Sequence, residues 1–162
     1  MDVVVAGLFR FVLYTFFGLT LETLFAVTGI ERALGCPVPR RVPKRYYEGF
    51  VSLYMVPLHG LGLLFAFEPA QVAISNWSLS LRFTIYAVSL TLFEVAWGFF
   101  LDKTLGFYPW DYYASSRFRI FKRGYSLWTL VPLWGVAGLI LEVYSDLLLH
   151  LSPHAVTFFL GG

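Results

Sequence analysis

Two carboxylates stand where carboxylates are costly. Glu22 and Glu94 each lie inside a long apolar run, Phe11–Gly29 and Phe83–Leu101. A charged side chain at the centre of a bilayer costs about 3 kcal/mol on insertion scales, so such an acid faces a bundle interior or a wet cavity, or takes up a proton. Acids placed this way suit an ion, proton or polar-substrate site. The alternative is structural, each acid bonded to a Tyr, a Trp or a backbone group of the next helix. Gly98 and Asp102 follow Glu94 at steps of four, which puts all three on one helix face, and Gly18 precedes Glu22 by the same step. Small residues there let a neighbouring helix approach closely. His59 lies in a third apolar run, where it could relay protons to either acid or serve as a hydrogen-bonded packing residue.

Other candidates surround these. Pro57 with Gly60, and Pro132 with Gly135, fall inside apolar runs. Each proline is expected to free a carbonyl four residues back, on Leu53 and Trp128, giving matched kinks that either hinge the helices or only pack them. In Pro109-Trp110-Asp111-Tyr112 the proline fixes a turn and Trp110 is expected to anchor at the membrane interface. Asp111 could cap the next segment or reach Arg117 or Arg119, as a gate, a substrate contact or a plain cap. Glu142, Asp146, His150 and His154 step by four, a spacing that can hold zinc. At the end of a run a wet polar face is the simpler reading, and no metal is assigned. No Walker motif, Gly-x-Ser-x-Gly elbow or Cys-x-x-Cys pair is present. No catalytic residue and no cofactor is therefore assigned, and an energised pump would need a separate ATPase chain.

The elements that must hold these residues are helices. Only 14% of the chain is charged, 58% is hydrophobic and the mean hydropathy is +0.69; soluble chains carry about 25% charged residues. Four apolar runs, Phe11–Gly29, Phe50–Phe67, Phe83–Leu101 and Tyr125–Tyr144, approach the ~20 residues a helix needs to cross a bilayer. They do not alternate as transmembrane strands do. The expectation is an all-α polytopic membrane protein with one transmembrane domain over residues 1–162. Met1-Asp2-Val3-Val4-Val5 lacks the basic start of a cleaved signal peptide, and the lone Cys36 cannot form an intrachain disulfide.

Ten of the twelve Lys and Arg residues fall in two stretches: Arg32, Arg40, Arg41, Lys44 and Arg45, then Lys103, Arg117, Arg119, Lys122 and Arg123. The positive-inside rule makes loops 31–48 and 103–123 cytoplasmic and puts both termini outside. Such loops suit anionic membrane lipid rather than nucleic acid as a partner. Arg10 is expected to snorkel at the outer end of the first helix. The aromatic third loop, with Phe107, Tyr108, Trp110, Tyr112 and Tyr113, is expected to lie on the membrane surface. Residues 147–160, interrupted at Ser152-Pro153, read as either helix or interfacial tail.

The chain also reads as two copies of one unit. Val56-Pro57-Leu58-His59-Gly60 recurs as Val131-Pro132-Leu133-Trp134-Gly135. Leu19-Thr20-Leu21 before Glu22 recurs as Leu90-Thr91-Leu92 before Glu94, and Leu34-Gly35 as Leu105-Gly106. Each unit, about 11–68 and 83–146 with an outer tail at 147–162, has two crossings. The expectation is a 2+2 parallel repeat about an axis along the membrane normal, with a site at the repeat interface near mid-depth.

These residues resemble the small membrane family labelled ABC transporter type IV, which includes vertebrate transmembrane protein 229. The resemblance covers roughly residues 15–145. It is carried by Gly18-Leu19-Thr20-Leu21-Glu22, His59-Gly60 with Glu68, Glu94 with Gly98, Pro109-Trp110-Asp111-Tyr112, and Gly124 followed by Val131-Pro132 and Glu142. His59 stands where the family usually has tyrosine, and Tyr113 where it usually has serine. The family label implies a permease and brings no established activity. The expected function is a transporter or permease component with Glu22 and Glu94 facing a polar site, as a homodimer or with a partner membrane subunit or ATPase. The alternatives are a non-catalytic subunit or scaffold, and a membrane enzyme using Glu94, Asp102 or Asp111 on lipid.

Overall fold

A computed structural model describes residues 1–38 and 43–161. Arg40 and Arg41 of the first basic stretch lie outside the described residues. The chain is mostly helical. Four helices are long and apolar enough to cross a membrane: Asp2–Thr28, Leu53–Ile74, Leu79–Leu105 and Val131–Leu160. In each, 33% or less of the most apolar window is buried inside the bundle. The outward surface is far more apolar than a soluble protein tolerates, as suits an integral membrane protein.

Helix α1 (Asp2–Thr28) bends at Gly29 into α2 (Ile30–Leu34). The second span opens with a 3-10 turn, Leu53–Met55, winds as a π-helix over Leu58–Phe67 and continues as α3 (Glu68–Ile74). After a tight connection come α4 (Leu79–Leu105) and, beyond a folded loop, α5 (Val131–Leu160). Both α2 and α4 stop at a Leu-Gly step with the glycine left-handed, Gly35 at φ +69° and Gly106 at φ +81°. Helix α1 packs against the π-helical segment and α5, and α4 packs against α5. Contacts among Arg10, Glu68 and Ser152 put both chain ends and the Ser75–Ser78 connection at one end of the bundle. The other end carries the loops.

Several expectations are corrected here. Pro132 is in the first turn of α5, and Pro57 in the first turn of the second span, between the 3-10 turn and the π-helix. A proline at a helix start has no N–H to lose, so neither residue kinks a helix. Gly60 and Gly135 are contact points instead: a Cβ there would strike the rings of Phe11 and Phe83. The fourth span starts at Val131 rather than Tyr125. Residues 147–160 continue α5 straight through Pro153.

The loop before α5 is a folded plug. Strands β1 (Arg119–Ile120) and β2 (Ser126–Leu127) pair antiparallel. Gly124 turns between them at φ +76°, and a Cβ there would sit 2.6 Å from the Ala114 backbone nitrogen, so only glycine fits. Ser116 and Thr129 hydroxyls donate to the Leu34 and Ala33 carbonyls, each at 2.6 Å, closing the open end of α2. Trp110 is buried, its Nε1 donating to the Tyr125 carbonyl at 2.9 Å. Tyr108 is buried too and donates to the Arg123 carbonyl. Burial above all, then the Asp111 charge, pushes its phenol up to about 12. These rings are core residues, not interfacial anchors, because the loop folds back under the helices. Phe107 alone of the five is exposed.

Candidate functional site

Toward the loop end of the bundle, α1 presents Glu22 and the π-helical segment presents His59, with Oε1 and Nε2 3.1 Å apart. Gly18, one turn above Glu22, makes room for the imidazole, which lies where a Cβ would be. Across the bundle α4 presents Glu94, 7% exposed. Its carboxylate accepts from the Ser126 hydroxyl on β2 and from Trp134 Nε1 on α5, the latter at 3.1 Å. The Gly124 turn brings Ser126 under α4, and the early position of Trp134 in α5 brings the indole to the same oxygen.

The two acids are within electrostatic reach of each other. Tyr112 and Tyr113, on the 3-10 turn Asp111–Ser115, are within reach of both. Burial is the main cause that pushes both phenols up; the charges of Glu22 and Glu94 add to it. Both hydroxyls therefore stay protonated. Tyr113 is only 5% exposed, and its hydroxyl bonds to none of the described residues.

A second polar layer lies toward the chain termini. Arg10 Nε is 3.0 Å from Glu68 Oε2, and the guanidinium also donates to Ser152 at 3.0 Å. Arg10 thus turns inward to a partner instead of snorkelling. Tyr14 donates to Glu68 at 3.1 Å and pairs with the Ser145 hydroxyl at 2.7 Å. Seventy-two residues beyond Arg10 and Tyr14 stand Arg82 and Tyr86. Arg82 pairs with one oxygen of Glu142, and Tyr86 donates to the other at 3.0 Å. Gln71, buried, donates to Asp146 at 2.7 Å and ties the second span to α5.

The chain matches no family model, no curated protein and no solved structure.

Of the residues singled out from sequence, Glu22 pairs with His59, and Glu94 stands across the bundle with partners of its own. Four do not join them. Asp102 is clasped at the loop end by Arg123 at 2.8 and 3.1 Å and by the Tyr125 hydroxyl at 2.7 Å. Trp110 is a core ring. Asp111 is exposed and makes no ion pair with Arg117 or Arg119; Arg119 donates to the Ala114 carbonyl instead. Glu142 belongs to the layer near the termini. His150 and His154 stack edge to face, 6.0 Å apart. Among the described residues no three His, Cys, Asp or Glu groups converge as a metal site. Arg82, Tyr14, Tyr86, Tyr113, Ser126 and Trp134 were not foreseen in these roles. One signal was available: Arg-x3-Tyr-x7-Glu at 10–22 recurs at 82–94.

The layers differ in charge balance. Glu68, Glu142 and Asp102 each have an arginine. Among the described residues Glu94 has only neutral donors and Glu22 only an imidazole. The layer of Glu22 and Glu94 can therefore hold a proton or a cation that the other layer has no need of.

Proposed function

We propose that this chain is a membrane transport subunit in which Glu22 and Glu94 load and release a proton or small cation part-way across the bilayer. The charge imbalance carries this reading. A fully buried carboxylate without a cation is too costly to leave ionised and empty, whereas the other buried acid, Glu142, has its arginine, as do the half-buried Glu68 and Asp102.

We propose further that the bundle is a duplicated helix pair, that its basic loops face the cytoplasm, and that it belongs with the permease family it resembles. The duplication is supported by contacts that recur in order. Arg10–Glu68 is matched by Arg82–Glu142, Tyr14–Glu68 by Tyr86–Glu142, and Glu22–His59 by Glu94–Trp134. Phe11 over Gly60 is matched by Phe83 over Gly135.

A non-catalytic subunit is the second reading, favoured by the two donors that already satisfy Glu94. The lipid-enzyme reading loses Asp102 to its clasp with Arg123. Proteoliposomes with a trapped pH dye separate the first two. The transport reading expects a proton flux that Glu94→Gln abolishes while the protein stays folded. No flux in the wild type under any imposed gradient would leave the subunit reading.

A further inference from the structure

One face of α5 has no protein partner. Val136, Ile140, Val143 and Leu147 recur at steps of four, three and four, so they form a single stripe, and all four are exposed. Between this stripe and Phe17 of α1 runs a groove of about 480 Å³ with apolar walls. Its floor is firmly held. The Phe17 and Tyr144 rings stack with centroids 4.1 Å apart, and the Tyr144 hydroxyl donates to the Leu13 carbonyl at 3.2 Å.

The shape selects among occupants. From Val136 to Leu147 the helix rises about 16 Å at 1.5 Å per residue, about half of the ~30 Å of bilayer hydrocarbon. The groove is therefore about one leaflet long. Spread over that length, its 480 Å³ leaves a cross-section of about 30 Å², whereas a helix about 10 Å across fills about 80 Å². None of its lining residues is small, so a helix backbone has no close approach. A single extended hydrocarbon chain suits both dimensions.

The two ends of the groove differ. Beyond Leu147 the same stripe runs on, at steps of three and four, into His150 and His154, both exposed, with rings edge to face 6.0 Å apart. Ser152, between them, bonds Arg10, so the pair stands at the end of the bundle that carries the chain termini. Asp146, one turn before His150, is engaged by Gln71 of the second span. Past Val136, in contrast, the stripe runs on into exposed Leu133. An imidazole carries an N–H donor whether neutral or charged, so the pair offers two donors to an anionic oxygen group. An apolar groove with one polar end matches an amphiphile.

We infer that this groove holds one acyl chain of a phospholipid from the leaflet on the side of the termini, with the headgroup phosphate at His150 and His154.

The test is native mass spectrometry of detergent-purified protein titrated with dioleoyl-phosphatidylglycerol. Dioleoylglycerol, with the same chains and no phosphate, is the control. One phosphatidylglycerol per chain is expected to bind about tenfold tighter than dioleoylglycerol. Val143→Trp fills the groove from its most exposed lining position, outside the core, and should lose both lipids. His150→Ala with His154→Ala should bring phosphatidylglycerol down to the level of dioleoylglycerol and leave the latter unchanged. Equal binding of the two lipids by the wild type overturns the proposal, as does a histidine pair whose loss changes nothing. Phosphatidylglycerol kept by Val143→Trp places the lipid elsewhere and overturns it too. A lipid-free wild-type dimer that Val143→Trp splits would give the groove to a second copy. Oleate binding tighter than phosphatidylglycerol would make the occupant a fatty acid instead.

Discussion

The two polar layers lie eight residues apart on the first and third spans, about 12 Å at 1.5 Å per residue, and their acids are held in opposite ways. Toward the termini, each glutamate is matched by an arginine and a tyrosine, so charge closes within the protein, although Arg10 Nε and Arg82 Nε are left without a hydrogen-bond partner. In the layer of Glu22 and Glu94 the charge is left open. In hydrocarbon a closed ion pair is a fastener, because parting it strands two charges. An open acid is a socket, because its cheapest state has something bound. The same helices carry both, which lets one layer hold the bundle shut while the other exchanges its occupant.

The largest effect should come from breaking a fastener. Arg82→Leu leaves Glu142 buried with Tyr86 alone. Loss of one partner of a buried pair typically costs about 3–5 kcal/mol, enough to unfold much of a marginal bundle. Arg82→Leu with Glu142→Leu removes both charges and should recover most of that loss. Chemical or thermal unfolding in detergent reads both variants. If the single and double substitutions are equally damaging, the pair is packing rather than charge, and the contrast between the layers fails.

Neutralising the socket should cost far less. In Glu94→Gln the side-chain carbonyl still accepts from Ser126 and Trp134, and no proton or cation has to be bound. A stability change within about 1 kcal/mol of wild type is expected, in either direction, since the amide keeps both hydrogen bonds as neutral ones. The same unfolding assay decides. A loss as large as that of Arg82→Leu would make Glu94 a second fastener and favour the subunit reading.

Why the fasteners escaped the sequence reading is instructive. The apolar runs begin at Phe11 and Phe83, one residue after Arg10 and Arg82, and the second ends at Phe67, one residue before Glu68. Hydropathy treats a charge as a boundary, yet a charge whose partner sits on the next helix is apolar in effect. The spans therefore extend past those residues on the side of the termini. At the other end the error reversed. Phe50 and Tyr125 look like span residues, but their segments are spent on a turn and a two-residue ladder, and this shift moved Pro57 and Pro132 from imagined helix interiors to helix starts. The positions of Glu22, His59 and Glu94 were legible because no neighbour in sequence could satisfy them. Their partners were not, since Ser126 and Trp134 reach Glu94 only once the loop has folded back.

The smallest effect probes whether the two helix pairs are built alike. Between the contacts His59–Glu22 and Glu68–Tyr14 the second span uses nine residues, whereas between Trp134–Glu94 and Glu142–Tyr86 the fourth uses eight. The second span is π-helical over that stretch and the fourth is α-helical. A π-helix closes each bond one residue later, so it absorbs one extra residue without moving its ends. Deleting Phe65, which is 72% exposed, should let the segment relax to an α-helix with both contacts kept. The expected stability change is within about 1 kcal/mol, because no buried side chain is lost. Deleting Ile140, 50% exposed in α5, is the control: it turns everything beyond by about 100° and swings Glu142 away from Arg82. Amide infrared spectra with unfolding curves would separate the two. If the Phe65 deletion is as damaging as the Ile140 deletion, the π-helix is not an inserted residue, and the second span is shaped for a purpose its counterpart does not share.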